Sequence, residues 1–185
     1  MSETIVDLAA LDATRVDQLA LLTHTAAREH APTWLPTVAD AHETIAEARA
    51  RFSRVMLGAD GAPIGWVAAG HAWGRIWDLH PLIVDVAHQR RGIGRTLVLE
   101  VEREATRAGA LVLSLGTSDT THATSVSDVD LYDDPLRHLA ELSLRASHSV
   151  EFWQRIGFKL IGVIPDAEGP GQPSLQLAKR LIPRA

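Results

Sequence analysis

The 185-residue chain has no cysteine. That excludes disulfides, thiolate zinc sites and a cysteine nucleophile, and it suits a reducing compartment. There is no basic excess: the formal net charge is −5, and no basic stripe of the kind a nucleic-acid surface needs can be found. No stretch approaches 18 apolar residues, so no membrane-spanning helix is expected. The segment Met1–Val16 lacks the basic start and apolar run of a signal peptide. None of the nine histidines forms a His-Glu-x-x-His pattern, and no metal is implied. There are no internal repeats and no low-complexity segments. What remains is a cytoplasmic globular protein of one domain, residues 1–185, with neither nucleic acid nor membrane as partner. Its mild acidity suits a pocket for a cationic substrate.

Periodicity predicts the order β-α-α-β-β-β-α-β-α-β-β, an α/β protein with a mixed sheet. The stretch ETIVDL alternates like an edge strand. Val16, Leu19, Leu22 and Ala26 have helical spacing, with Asp12 as N-cap. A second helix is expected over Asp40–Phe52. A hairpin follows, turning at GADGAP, where Asp60-Gly61 supplies left-handed geometry. IWDLHPLIVDV is a long strand interrupted by Pro81. Ile93, Leu97, Val101, Ala105 and Ala108 form one face of a helix closed by Gly109. A short buried strand, ALVLSLGT, is followed by a polar segment, Thr117–Arg145, in which RHLAELSLR reads as helical. A short helix ending at Gly157 precedes the last two strands, FKLIGVIP and SLQLAKRLI. The long polar segment exceeds ordinary connections, and long ordered loops tend to carry function.

The most informative stretch is Gln89-Arg90-Arg91-Gly92-Ile93-Gly94-Arg95-Thr96, placed between a strand and an amphipathic helix. The first N–H groups of a helix have no intrahelical partner, and the macrodipole adds roughly half a positive charge there. Glycines let an anion approach the backbone, and three arginines add charge. The segment reads as a pyrophosphate cradle. It is not a P-loop, since the turn has no lysine. It is not the dinucleotide fingerprint either, since Leu97 stands where a third glycine would be.

Gln89-x-x-Gly92-x-Gly94 resembles the acetyl-CoA signature of the GNAT N-acetyltransferase superfamily. Three further stretches resemble one branch, the aminoglycoside 6′-N-acetyltransferases: WDLHPLIV (Trp77–Val84), LGTSDTTHATSVSDVDLY (Leu115–Tyr132) and the segment Val150–Arg184. The resemblance implies a GNAT fold, a mixed central sheet flanked by helices, with acetyl-CoA as co-substrate. It places the CoA pyrophosphate on the turn formed by Gln89, Arg90, Arg91, Gly92, Ile93, Gly94, Arg95 and Thr96, and the pantetheine arm along Ile83 and Val84. The implied reaction is acetyl transfer to a primary amine of a cationic small molecule.

Such a transfer needs a neutral nitrogen, a polarised thioester and a proton for the leaving thiolate. Asp78 lies in a strand between Trp77 and Leu79. The pattern alone leaves it open between a solvent-facing carboxylate and a base; the resemblance favours the base, since the branch has a carboxylate here. The branch usually has Glu, and the shorter Asp favours a bridging water. His80 shares Asp78's face and could relay a proton or orient substrate. By resemblance, the backbone N–H near Leu82 polarises the thioester oxygen. Trp153 stands where the branch commonly has a tyrosine. An indole donates but is a poor acid, so Trp153 packs, solvent protonates the thiolate, or Tyr132, the single tyrosine, substitutes. Of these, solvent is preferred.

For the acceptor, Trp77, Asp78, Asp119, Asp128 and Asp130 are the first candidates, with Asp133 and Asp134 as turn or cap residues; Trp34, Trp66 and Trp73 are stacking surfaces for a sugar or, more commonly for tryptophan, buried packing residues. Ser118 and Ser174 replace acids usual in the branch. Fewer acids keep other acceptors open, such as a polyamine or peptide amine, as well as an acyl-CoA-binding sensor without turnover. A homodimer is expected, with an edge strand such as the last one available for pairing.

Overall fold

Asp12 opens the first long helix as expected, its carboxylate accepting the Arg15 N–H at 2.8 Å. The computed structural model describes residues 3–31 and 33–182. They fall into two units: the chain through Leu113 with Leu181 and Ile182, and Ser114–Arg180.

The first unit contains β1 (Thr4–Asp7), α1 (Ala13–His30), α2 (Val38–Ala48), β2 (Phe52–Leu57), β3 (Pro63–Trp73), β4 (Ile76–Val84) and α3 (Ile93–Arg107). Strands β1 to β4 pair in chain order, each antiparallel to the next. The β2–β3 turn is the expected one: the Gly58 N–H bonds to Ala62 O at 2.8 Å, and Gly61 takes φ 81°. The second helix begins earlier than periodicity suggested. Thr37 and Asp40 cap each other's backbone reciprocally, so Val38 is already helical. It also ends earlier, because Phe52 pairs with Ala69 in the sheet.

Strand β3 is buried from Pro63 to Ala69 without alternation, since α1 and α3 both pack on it. Leu19, Ala41, Ile45, Val55, Trp66 and Ala68 form the centre of one core cluster. Trp66 is fully buried and donates its indole N–H to Thr23 Oγ1 at 2.8 Å, which makes it a core residue rather than a sugar platform. Ile93, Leu97, Val101 and Ala105 give α3 its buried face. Ala108 is exposed instead, because the helix has already ended: Gly109 takes φ 80° and the Ala110 N–H reaches back to Ala105 O. The contact of α3 with the sheet is close at Gly65, where a Cβ would lie 3.0 Å from Ile83 O and 3.2 Å from Ile93 Cγ2.

Strand β5 (Val112–Ser118) leads into the second unit, which holds α4 (Pro135–Ala140), α5 (Ser149–Arg155), β6 (Lys159–Gly169) and β7 (Gln172–Arg180). The strand order there is β5–β7–β6. The last strand is therefore interior, and β6 is the outer one, with Ile161 and Ile164 exposed. The helix read over Arg137–Arg145 is shorter and shifted. Asp134 caps it through the Arg137 N–H at 3.1 Å, and it stops at Ala140. The residues beyond turn back along the loop, with Ser125 N–H on Ser143 O and Arg145 N–H on Ala123 O. Backbone pairing outcompeted helical spacing in a segment too short to nucleate well.

Candidate active site

Strand β4 carries Asp78, His80 and Leu82. Gly70 pairs with Asp78 and Ala69 with Leu79, but Val67 pairs with Leu82. His80 and Pro81 thus face the single residue Ala68, a β-bulge placed where proline has no N–H to give the ladder. Burial still alternates: Leu79, Pro81 and Ile83 are buried, Asp78 and Leu82 are half-buried, and His80 is exposed. Asp78 and His80 therefore share a side of the strand, as the spacing suggested. The Trp34 ring, from the α1–α2 connection, lies 5.0 Å from the His80 ring at a 59° tilt. Trp77 is half-buried against Phe52, 6.3 Å between ring centres.

Beyond Val84 the chain makes a tight turn over Val86–His88, with the Asp85 and His88 side chains in contact. Gln89 reaches back from this turn, its amide donating to Val84 O at 3.4 Å. Arg90 (φ 61°) and Gly92 (φ 87°) are both left-handed and swing the chain into α3. The first helical bond is Thr96 N–H to Gly92 O at 3.0 Å, so the amides of Ile93, Gly94 and Arg95 stand ahead of the ladder at the positive end of the dipole. The Thr96 hydroxyl bonds to the same carbonyl at 3.2 Å. A Cβ on Gly92 would meet nothing within 4 Å, so its backbone faces open space. Arg90, Arg91 and Arg95 are exposed around it, and Arg91 pairs with Glu3 at 3.0 Å, a surface contact of small energy that an anion can displace. The observed turn fits the pyrophosphate of CoA: exposed amides, a left-handed glycine without obstruction, and cationic flanks.

The second unit corrects part of the acceptor reading. Asp119 is completely buried. Its carboxylate accepts the Ala123 and Thr124 N–H groups, each at 2.8 Å, and the Ser127 hydroxyl at 2.5 Å. Burial pushes its pKa up, but these bonds outweigh it and hold the carboxyl below the usual range. Asp119 pins its own loop and has no face left for an external cation. Asp128 is exposed, with φ 60° and Oδ2 at 2.8 Å from His122 Nδ1. Asp130 is exposed and accepts the Tyr132 N–H at 3.0 Å, an Asx turn.

Trp153 is 7% exposed, held edge-on by Phe152 at 4.9 Å and Phe158 at 5.3 Å. That is the geometry of a packed aromatic cluster. Tyr132 is 70% exposed. Sequence reasoning passed over His148, which is buried. It caps α5 by accepting the Val150 N–H at 3.2 Å and uses its other ring nitrogen on Ser118 O at 3.1 Å. This pair of bonds fits the neutral tautomer with the proton on Nε2. A histidine directly before an amphipathic turn was the available signal. Glu168, which accepts the Ser118 hydroxyl at 2.5 Å, carried no such signal. Among the described residues, no cluster of three His, Asp or Glu side chains is arranged to hold a metal ion.

Residues 14–132 match the model of the acetyltransferase (GNAT) family. The chain belongs to that family. It is a GNAT N-acetyltransferase, and its α/β fold, a mixed sheet flanked by helices, is the one expected from the sequence. Among solved structures, it is similar to an aminoglycoside 6′-N-acetyltransferase complexed with coenzyme A, at 29% identity and TM-score 0.86, with 98% of this chain and 99% of that one covered. It is also similar to the aminoglycoside 6′-N-acetyltransferase of Enterococcus faecium, at 29% identity and TM-score 0.84, with 98% and 99% covered. An aminoglycoside 6′-acetyltransferase of type Ii is 25% identical with TM-score 0.68, each chain being covered in full, 100%. None of the curated proteins compared matches this sequence.

Proposed function

We propose that the protein transfers the acetyl group of acetyl-CoA to the 6′-amine of an aminoglycoside. The observation that carries this reading is one run of chain. Strand β4 presents Asp78 and His80 and, within a dozen residues, feeds the open, amide-rich start of α3. The similarity of nearly the whole chain to aminoglycoside 6′-N-acetyltransferases supports the acceptor.

Bound at the α3 turn, acetyl-CoA supplies an activated acetyl thioester. The amides of Arg91 to Arg95 and the side chains of Arg90, Arg91 and Arg95 hold its pyrophosphate, while Ile83 and Val84 flank the pantetheine arm. Asp78 takes the proton that the acceptor ammonium must lose, directly or through one water. His80 orients the acceptor beside it. The Leu82 backbone N–H withdraws charge from the thioester oxygen. Solvent returns the thiolate proton, since Trp153 is a packing residue. In the second unit, Asp128 and Asp130 are exposed and remain the carboxylates proposed for a cationic acceptor. The expected homodimer and cytoplasmic location belong to the same reading; sedimentation of the purified protein tests the first.

Acetyl-CoA-dependent thiol release decides the acceptor. An aminoglycoside with a free 6′-amine, its 6′-hydroxyl counterpart and spermidine are compared. Turnover of the 6′-amine alone, reduced about 10²-fold or more in Asp78→Asn, supports both substrate and base. Turnover of spermidine alone, or equal rates for all three, replaces this reading with a polyamine or general amine acetyltransferase. The burial of Asp119, which leaves one fewer carboxylate for a polycation, is the observation that favours that second reading.

A further inference from the structure

We infer that Arg51 is a positioning residue for the transfer, bracing the bulged part of β4 from which Asp78 and Leu82 act; this rests on the roles proposed for those two residues. Arg51 is distant in sequence, in the link between α2 and β2, and its backbone is fixed by its N–H bond to Ala48 O at 3.0 Å. Its guanidinium divides between two backbone carbonyls of β4: one terminal nitrogen donates to His80 O at 2.9 Å and the other to Asp78 O at 3.1 Å. The side chain lies over Gly70, whose Cβ position would be 3.4 Å from Arg51 Nε.

The placement follows from the register. An uninterrupted strand offers the carbonyls of residues i and i+2 along one edge to the N–H groups of its neighbour. In β4 the ladder skips: His80 and Pro81 stand against Ala68 alone, and Pro81 has no N–H with which to restore it. A bulge disrupts the ladder locally, and a shift of the segment from Asp78 to Leu82 would displace both the Asp78 side chain and the Leu82 N–H. The rigid fork of one arginine ties the Asp78–Leu79 and His80–Pro81 peptides to a single point outside the sheet. Lysine cannot do this, because its ammonium is a single point on a flexible stem. Arg51 thus touches neither reactant and acts through the backbone of the residues that do.

The test uses the full-length protein with Arg51→Ala and Arg51→Lys. The wild type is first assayed with the three acceptors above. Arg51→Ala is expected to lower kcat about 10- to 100-fold, as sub-ångström to 1 Å displacements of reacting groups do, with KM for acetyl-CoA within about twofold of wild type. Arg51→Lys recovers only a small part of that loss. Added guanidinium at low millimolar concentration restores part of the Arg51→Ala rate and none of the Asp78→Asn rate. Hydrogen exchange, read on peptides across residues 76–84, is faster in Arg51→Ala while peptides of α1 and α3 keep their wild-type protection. Unchanged exchange over 76–84, kcat and KM that fall together with a general loss of protection, or full recovery in Arg51→Lys would each overturn the inference. A wild type that acetylates no amine overturns the proposed function instead, and the exchange measurement then decides the bracing by itself.

Discussion

Asp119 gives the most demanding test of the second unit. Replacing it with alanine removes three hydrogen bonds to a fully buried carboxylate, from Ala123 N–H, Thr124 N–H and the Ser127 hydroxyl. Bonds to a charged acceptor are worth about 1.5–3 kcal/mol each, and two backbone donors would be left buried without a partner, at about 1–3 kcal/mol apiece. These figures overlap and the loop can relax, so the expected loss is about 3–5 kcal/mol, at the upper end for a point change. Asp119→Asn keeps the shape and one acceptor oxygen but turns an NH₂ toward existing donors; about 2–3 kcal/mol should be lost. The pH dependence has a fixed sign. The folded carboxyl titrates below the unfolded one, so its contribution is complete above the unfolded value near about 4 and is lost as pH falls through the folded value. Urea unfolding followed by circular dichroism should therefore show a gap between wild type and Asp119→Asn that is constant from pH 7 to about pH 5 and closes below about pH 4. A gap at pH 7 smaller than about 0.5 kcal/mol, or one that widens on acidification, would refute the assignment of Asp119 as the loop's pin.

Two glycine substitutions probe the first unit. Gly65→Ala places a methyl group 3.0 Å from a backbone oxygen of β4 and 3.2 Å from Ile93, so the helix–sheet contact must open; a loss of about 1–3 kcal/mol and a lower Tm are expected, by differential scanning calorimetry. Gly92→Ala leaves the packing untouched but forces alanine to φ 87°, at about 1–2 kcal/mol of strain, and sets a methyl group on the open face of the turn. KM for acetyl-CoA should rise several-fold in Gly92→Ala with stability only modestly lower, whereas Gly65→Ala should show the reverse; calorimetric titration with CoA separates the two.

Signals that act within a few residues were legible. Asp12 as a cap, Gly61 and Gly109 as left-handed residues, and the buried face of α3 from Ile93 to Ala105 each follow from spacing and local backbone chemistry. The start of α2 escaped only because the reciprocal pair Thr37–Asp40 lies ahead of the apolar pattern. The loop from Asp119 onward was misread for a different reason. A run of aspartates has the composition of a cation site, and composition is blind to which carboxylate turns inward. In sequence Asp119 is not distinguishable from Asp128 and Asp130, yet it is the internal anchor, and they are exposed. Trp153 is a related case: sequence leaves packing open beside chemistry, and the two phenylalanine rings that flank it favour packing.

Pro81 marks the boundary of what sequence can supply. A proline inside an otherwise buried strand announces that the ladder must open there, and this much was readable. It does not announce on which side the extra residue falls, nor which side chain bonds to the carbonyls beside it. Both answers come from tertiary structure. The register of β3 sets the extra residue at His80-Pro81, and an arginine 27 positions before Asp78 supplies the donors. Arg51 sits in a stretch, EARARF, that reads as helix end and nothing more. Its proposed role follows from its place over Gly70 and its bonds to β4, a relation between three segments with no local trace. The residues proposed to do the chemistry fall in short, recognisable strings, WDLHPLIV and QRRGIG. The arginine that bonds to the backbone of the first string lies elsewhere in the chain, and only the folded geometry connects the two.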